Sequence, residues 1–193
     1  MINISRKPRI WYPNAIYHIV DRGIHRQKIF QEPADYFHYL EILKNVQEIY
    51  PFEIHAFCLM PNHIHMLIGT REDPIWDIMK RQIQLYTQYY NFSHSYSGHL
   101  FEGRYKSFLI QDDNYFLQTG RYIHLNPVKA NIVVRPENYL YSSFRTYMGY
   151  RRNKIICTSK TLSYFGMDNT LYQKYLDSST NEEENEFMKK YKR

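Results

Sequence analysis

Hydrophobic and polar positions along the chain follow two different periods, and together they predict a mixed α and β fold. Continuous or alternating apolar runs predict strands at residues 15–20, 52–60 and 63–68, and a fourth strand within residues 99–110. Apolar positions at helical spacing predict helices over residues 33–49, 74–90 and 115–126. The resulting order predicts a ferredoxin-like α+β fold, an antiparallel sheet with the helices packed on one face.

Prolines and acidic residues set the predicted limits of the helices. Pro33 opens the first helix. Asp112-Asp113-Asn114 is the N-terminal signal of the third helix, because negative charge suits the positive end of the helix dipole. Pro127 is expected to end that third helix, because proline has no backbone N–H and disfavours a helical residue before it.

The chain is expected to form one domain with an appendage. Its 193 residues are enough to bury a core, and the regular pattern fades toward the end of the sequence. We place the main domain at residues 1–157 and a C-terminal tail, helical or partly disordered, at residues 158–193.

The composition favours an anionic partner. The formal net charge is +6, and 20 tyrosines supply flat faces that can stack on nucleic-acid bases. Two cysteines are too few for a disulfide framework, and the polar, basic N-terminus lacks an apolar signal core. Because no apolar run approaches the length of a transmembrane helix, we expect a cytoplasmic protein without a membrane partner.

The clearest chemical signal is the sequence His63-Ile64-His65 in a predicted strand. Side chains alternate along a strand, so the two imidazoles share one face, about 7 Å apart, while Ile64 faces the other way. Two imidazoles at this separation can bind one metal ion. The alternative is a pair of histidines that only form hydrogen bonds to neighbouring groups.

A second pair, Tyr122 and Asn126, lies four residues apart in the third predicted helix. This spacing puts the hydroxyl and the amide on one face of the helix, so both can approach the same centre. Tyr122 could equally be a core aromatic residue, and Asn126 a helix C-cap. We expect His55, His99 and His124 to be structural or surface residues. His55 and His99 have no partner at ligand spacing, and His124 points away from Tyr122 on the helix.

Three blocks of the sequence resemble the single-tyrosine HUH transposases, and particularly the REP-associated tyrosine transposases. The blocks are PNHIH at residues 61–65, GHLFEGRYKS at residues 98–107 and RYIHLNPVKA at residues 121–130. They occur in order within residues 10–150. In the His-U-His motif of the family, U is a bulky hydrophobic residue, and here this residue is Ile64.

The resemblance implies a role for each residue of the two pairs. His63 and His65 would be metal ligands, Asn126 the third ligand and Tyr122 the nucleophile. Other members of the family have a glutamine or an acid in place of this asparagine. The implied metal is Mg²⁺ or Mn²⁺, of which Mn²⁺ matches two nitrogen ligands better.

The resemblance also implies a DNA substrate and identifies residues 1–157 as an HUH single-strand DNA transposase domain. A metal-dependent enzyme of this kind cleaves and rejoins single-stranded DNA beside hairpins, through a 5′-phosphotyrosine intermediate. The side chains expected to contact the DNA are Arg104, Lys106, Arg22, Arg26, Arg121 and Lys129. The sequence leaves open whether the site is completed within one chain or between the two chains of a homodimer.

Two other functions remain as alternatives. One is a domesticated hairpin-binding protein that keeps the site but no longer moves DNA. The other is a small-molecule metallohydrolase, which would use the two histidines but give Tyr122 no role. A covalent adduct with DNA would separate the leading hypothesis from both alternatives.

Overall fold

Four antiparallel strands form the centre of the protein in a computed structural model, which describes residues 10–178 and Phe187. The strands are β1 (Ile16–Arg22), β2 (Phe52–Met60), β3 (His63–Thr70) and β4 (Lys106–Leu109). Their order across the sheet is β2-β3-β1-β4, and each neighbouring pair is antiparallel. β2 and β3 form a hairpin, and β3 is paired on both of its edges.

Two long helices, α1 (Pro33–Ile49) and α2 (Ile75–Ser93), cover one face of the sheet. Alternate residues of the strands point into this main core, and in β3 these are Ile64, Met66 and Ile68. The order of the elements and the antiparallel pairing confirm the expected α+β fold with a ferredoxin-like sheet.

A third long helix, α3 (Asp113–Lys129), packs on the opposite face of the sheet. Phe116 and Ile123 of α3 meet Cys58 and Leu67, which alternate with the residues of the main core. The expectation that the helices share one face therefore holds for α1 and α2 but not for α3. The reason is that β2 is buried at almost every position, so both faces of the sheet need a cover.

Pro127 lies inside the last turn of α3, so the prediction that it ends the helix was wrong. Proline removes one N–H donor, but the carbonyl groups of this turn still accept hydrogen bonds. Ala130 N donates to Asn126 O at 3.0 Å, and Ile132 N donates to Pro127 O at 3.0 Å. Asn126 therefore remains in the helix and keeps its register with the residues one turn earlier.

Three short helices, α4 (Phe144–Tyr147), α5 (Ser159–Ser163) and α6 (Asn169–Asp177), pack behind α3. His124 of α3 is fully buried, with Nδ1 2.8 Å from the Tyr172 hydroxyl and Nε2 2.7 Å from Ser143 Oγ. The predicted tail contains α5 and α6, while residues 179–186 and 188–193 lie outside the described residues. The boundary at residue 157 stays a prediction. None of the helices between residues 10 and 178 is both long enough and apolar enough to cross a bilayer.

Asp21 is a buried carboxyl near the end of β1. Its side chain is 3% exposed, Oδ1 accepts a hydrogen bond from the Arg22 N–H, and Oδ2 has no hydrogen-bond partner among the described residues. Burial raises the pKa of this carboxyl from 3.8 to about 7. The folded protein therefore holds a proton that the unfolded chain releases. The stability that this proton contributes is fully present below pH 3.8 and is lost as the pH rises through 7.

Asp21→Asn is expected to remove this pH dependence, because an amide does not ionise. At about pH 8 the variant should be more stable than the wild type by about 1–3 kcal/mol, and at about pH 4 the two should be similar. Urea unfolding across this pH range measures the difference, with Glu41→Gln, at a side chain 53% exposed on α1, as the control. A difference that does not grow with pH would contradict the assignment.

Candidate active site

The two histidines of β3 lie on the face of the sheet that α3 covers. His65 is 5% exposed, and His63, the first residue of the strand, is partly exposed. Their ring centroids are 5.0 Å apart and the ring planes are perpendicular. Ile64 points to the main core on the other face, as the alternation of a strand requires. The shared face of the histidines is confirmed, and their role as ligands stays a prediction.

Helix α3 brings Tyr122 and Asn126 to these histidines. The ring centroid of Tyr122 is 5.2 Å from that of His65. The side chain of Asn126 lies within hydrogen-bonding reach of the His63 ring, and this contact partly offsets the lowering of the His63 pKa by desolvation. The two residues of α3 are 9% and 7% exposed. The four residues of the predicted site therefore meet within one chain.

Burial keeps the imidazoles of this site neutral. Desolvation, and to a lesser extent the positive charge of Arg22, lowers the pKa of His63 to about 4, although Asn126 opposes this shift. Desolvation also lowers the pKa of His65 well below 6.5, with further contributions from His18, His63 and Arg22. Neutral imidazoles have a lone pair available on one ring nitrogen, which is the form that binds metals.

A third histidine, His18 of β1, adjoins the pair, and sequence reasoning missed it. Its Nε2 lies 3.1 Å from Nδ1 of His65, and its ring centroid is 6.0 Å from that of Tyr122. The period of β1 puts His18 on the same face as Val20, and Val20 lies directly opposite His65. The alternation was readable in the sequence, but the pairing of β1 with β3 was not.

Five of the six predicted DNA-contacting side chains are exposed. These are Arg22, Arg26, Arg104, Lys106 and Lys129. Arg22 lies opposite His63 in the sheet, and Lys106 lies opposite Val20 on the far side of β1. Residues that lie opposite each other in an antiparallel pair project from the same face, so both cations border the histidine face.

Two further cations of this set, Lys129 and Arg121, lie beside the predicted nucleophile. Lys129 Nζ is 4.7 Å from the ring centroid of Tyr122. Arg121 is only 7% exposed, and its guanidinium carbon lies 4.7 Å from the ring centroid of Tyr175 in α6. A small cavity is lined by Gln118, Arg121, Tyr122, Lys129 and Phe187. Because Arg121 is packed against α6, little of its side chain is open to DNA.

The remaining histidines considered above lie outside the site. His124 is a buried structural residue behind α3, and His99 is exposed in the loop before β4. His55 is buried in β2, with its ring centroid 5.1 Å from that of Phe116. These positions agree with the expected structural and surface roles.

Two other clusters of potential metal ligands occur among the described residues, with ligand atoms within 4.8 Å of one another. They are Glu53 with His55 and Cys157, and Glu32 with Asp35 and His94. Glu53 already forms an ion pair with Arg71. Asp35 accepts hydrogen bonds from two backbone N–H groups before α1 and from the side chains of Tyr89 and His94. Neither cluster includes a residue of the predicted site.

The fold is similar to that of a solved REP-associated tyrosine transposase bound to a REP hairpin. The TM-score is 0.65, and the match covers 81% of this chain and 96% of that chain at 16% identity. At this level of identity the comparison supports the fold alone.

A curated relative and a family model extend the comparison to the sequence. A Haemophilus influenzae (strain Rd) protein assigned as a REP-associated tyrosine transposase is 33% identical over 113 residues. The match covers 52% of this chain and 64% of that protein, which is less than two thirds of its length. The model of the IS200-like transposases matches residues 12–126, a span that includes His63, His65, Tyr122 and Asn126. Because this span is more than half of the sequence, the chain belongs to the IS200-like transposase family.

Proposed function

We propose that this protein is a metal-dependent transposase that cleaves and rejoins single-stranded DNA beside hairpins. In this proposal Tyr122 is the nucleophile, and His63, His65 and Asn126 hold a divalent metal ion, Mg²⁺ or Mn²⁺. The proposal is supported by membership of the IS200-like transposase family and by the positions of these four side chains.

The observation that carries the proposal is the meeting of Tyr122 with the histidine pair. A tyrosine from α3 and two histidines from β3 come together across the packing between helix and sheet, with 5.2 Å between the ring centroids of Tyr122 and His65. If Tyr122 were only a core aromatic residue, it would not need two histidines beside it. The arrangement suits a reaction in which one group attacks a phosphate that the other groups hold.

The residues at the site fit a divalent metal. Two neutral imidazoles supply nitrogen lone pairs, and the amide of Asn126 supplies an oxygen. Mixed nitrogen and oxygen ligation is compatible with Mn²⁺ and Mg²⁺. Such an ion, when bound, acts as a Lewis acid and stabilises the charge that develops on the scissile phosphate.

The side chains of this chain account for the remaining parts of the reaction. Tyr122 Oη attacks the phosphorus, the bond from phosphorus to the 3′ oxygen breaks, and the phenol proton is balanced by the proton that the 3′-hydroxyl gains. A 5′-phosphotyrosine and a free 3′-hydroxyl result, and attack by another 3′-hydroxyl reverses the step without ATP. Lys129 places a positive charge beside the Tyr122 ring, where the phosphate would bind.

The proposed partner is a hairpin DNA with a single-stranded flank. The solved relative is bound to a REP hairpin, and this chain has exposed cations on the strands that neighbour the histidines. Single-strand binding by such cations releases counterions, so affinity should fall with added salt. The homodimer considered above stays a prediction.

Replacing Lys106 or Arg22 with Gln should weaken hairpin binding and flatten its salt dependence. Each variant should reduce the magnitude of the slope of log affinity against log salt by about 0.7, the value for one single-strand phosphate. Fluorescence anisotropy at several salt concentrations measures the slope. Lys44→Gln is the matched control, because Lys44 is exposed on α1, on the other face of the sheet. Equal slopes for all three variants would contradict the assignment.

A denaturing gel tests the proposed function. Wild-type protein is incubated with a labelled single strand that carries a hairpin, in the presence of Mn²⁺, and is expected to form a covalent adduct that survives denaturation. EDTA should prevent the adduct. Binding without an adduct across a broad set of hairpins would favour a domesticated hairpin-binding protein instead.

A further inference from the structure

We propose that His18 and Asn62 are positioning residues for the metal site. Each contacts Nδ1 of one predicted ligand, His18 that of His65 and Asn62 that of His63. Neither contact involves the Nε2 atom of its ligand, and in this proposal the two Nε2 atoms bind the metal ion. This inference rests on the proposed function, because it takes His63 and His65 as ligands.

The contact of Asn62 determines which nitrogen of His63 carries the hydrogen. Asn62 Nδ2 donates a hydrogen bond to the carbonyl oxygen of Arg26 at 3.2 Å, and a carbonyl oxygen can only accept. The amide oxygen of Asn62 therefore faces His63, with 2.7 Å between Oδ1 and Nδ1. An amide oxygen is also only an acceptor, so Nδ1 of His63 must be the donor. The lone pair of the neutral ring is then on Nε2.

Either imidazole could donate in the contact between His65 and His18, and in this proposal the donor is His65 Nδ1 and the acceptor is His18. Its Nε2 lies 3.1 Å from Nδ1 of His65, and the two rings are stacked with centroids 5.3 Å apart. When Nδ1 of His65 donates to His18, the lone pair of His65 is on Nε2. A hydrogen bond to the second ring nitrogen of a metal-binding histidine fixes its tautomer and its orientation.

Burial of His18 supports a role beyond packing. The side chain is 3% exposed, and its Nδ1 has no hydrogen-bond partner among the described residues. A buried nitrogen without a partner costs stability, so an apolar side chain would serve the core better. The contact with His65 gives a reason for a histidine at this position.

Asn62 also links the metal site to the surface that is proposed to bind DNA. The carbonyl oxygen that it contacts belongs to Arg26, whose side chain is exposed. Arg26 and its neighbour His25 both have positive φ angles, of 60° and 51°. One amide therefore holds both the backbone of this basic loop and the ring of His63.

Affinity for Mn²⁺, measured on the full chain without DNA, tests the inference. Free Mn²⁺ is followed by electron paramagnetic resonance during titration of the wild type, His18→Leu and His18→Gln. The leucine variant should bind about 10–100-fold more weakly, because His65 loses its acceptor. The glutamine amide oxygen can replace the acceptor and should restore affinity to within about threefold of the wild type. His38→Gln, at a side chain 45% exposed on α1, is the control and should bind as the wild type does.

Asn62 provides a second test at a partly exposed position. Asn62→Ala should weaken Mn²⁺ binding by at least about tenfold, while Asn62→Asp keeps an acceptor for His63 and should retain the affinity. Nitrogen-15 NMR of the metal-free protein should show the hydrogen of His63 on Nδ1, and this preference should be lost in the alanine variant.

The outcomes separate this inference from the proposed function. Two results would overturn the positioning roles alone. One is wild-type affinity for Mn²⁺ in both His18→Leu and Asn62→Ala. The other is a loss of affinity in His18→Gln and Asn62→Asp as large as in His18→Leu and Asn62→Ala. Absence of Mn²⁺ binding by the wild type would overturn the metal site of the proposed function and this inference with it.

Discussion

Tyr122→Phe is expected to abolish the covalent adduct with hairpin-flanked single-stranded DNA and to slow cleavage by at least about 10³-fold. The substitution removes only the hydroxyl. The ring contacts with His65 and Phe187 remain possible, so the packing of α3 should be preserved. Adduct formation on a denaturing gel and cleavage of a labelled strand give the two readouts.

The matched control for this prediction is Tyr115→Phe. Tyr115 is a second buried tyrosine of α3, and its ring also packs against Phe187. This variant should form the adduct to within about threefold of the wild type, since it keeps the proposed nucleophile. An adduct formed equally well by Tyr122→Phe would show that another group attacks the DNA. Unchanged hairpin binding by Tyr122→Phe would confirm that its defect is chemical.

His63→Ala is expected to lower metal-dependent cleavage by about 10²–10³-fold, because it removes one of two nitrogen ligands and with it much of the metal affinity. His63 is partly exposed at the start of β3, so its replacement should disturb the core less than that of buried His65. Single-turnover cleavage is measured across a range of Mn²⁺ concentrations. The variant should need more Mn²⁺ than the wild type and should still bind the hairpin.

Asn126 provides a graded comparison for the third ligand. Asn126→Ala removes the oxygen donor, whereas Asn126→Asp keeps an oxygen and adds a negative charge. We expect the aspartate variant to retain more cleavage than the alanine variant at low Mn²⁺ concentration. His38→Ala, far from the site on α1, should cleave as the wild type does. Wild-type cleavage by His63→Ala at low Mn²⁺ concentration would contradict the ligand assignment.

The limits of sequence reasoning are clearest in α3. Its start at the Asp112 cap and the common face of Tyr122 and Asn126 were predicted from local signals. Its end was wrong, because hydrogen bonds to the carbonyl groups of Asn126 and Pro127 sustain the last turn. Its place on the second face of the sheet also differed from the prediction, since that place depends on which apolar surfaces remain to be covered.

Local sequence patterns set the directions of side chains within each element. The period of a strand puts His63 and His65 on one face of β3, and the period of a helix puts Tyr122 and Asn126 on one face of α3. These directions depend only on local backbone geometry.

Which of these faces meet depends on the packing and pairing of distant elements. The packing of α3 on β2 and β3 brings Tyr122 to His65, and the pairing of β1 with β3 brings His18 to the same place. Distances between elements depend on the burial of apolar faces and on the register of backbone hydrogen bonds, which connect residues far apart in the chain. Local periodicity predicts neither which apolar faces pack together nor the register of strand pairing. The contacts of His18 and Asn62 therefore became visible only in the folded protein.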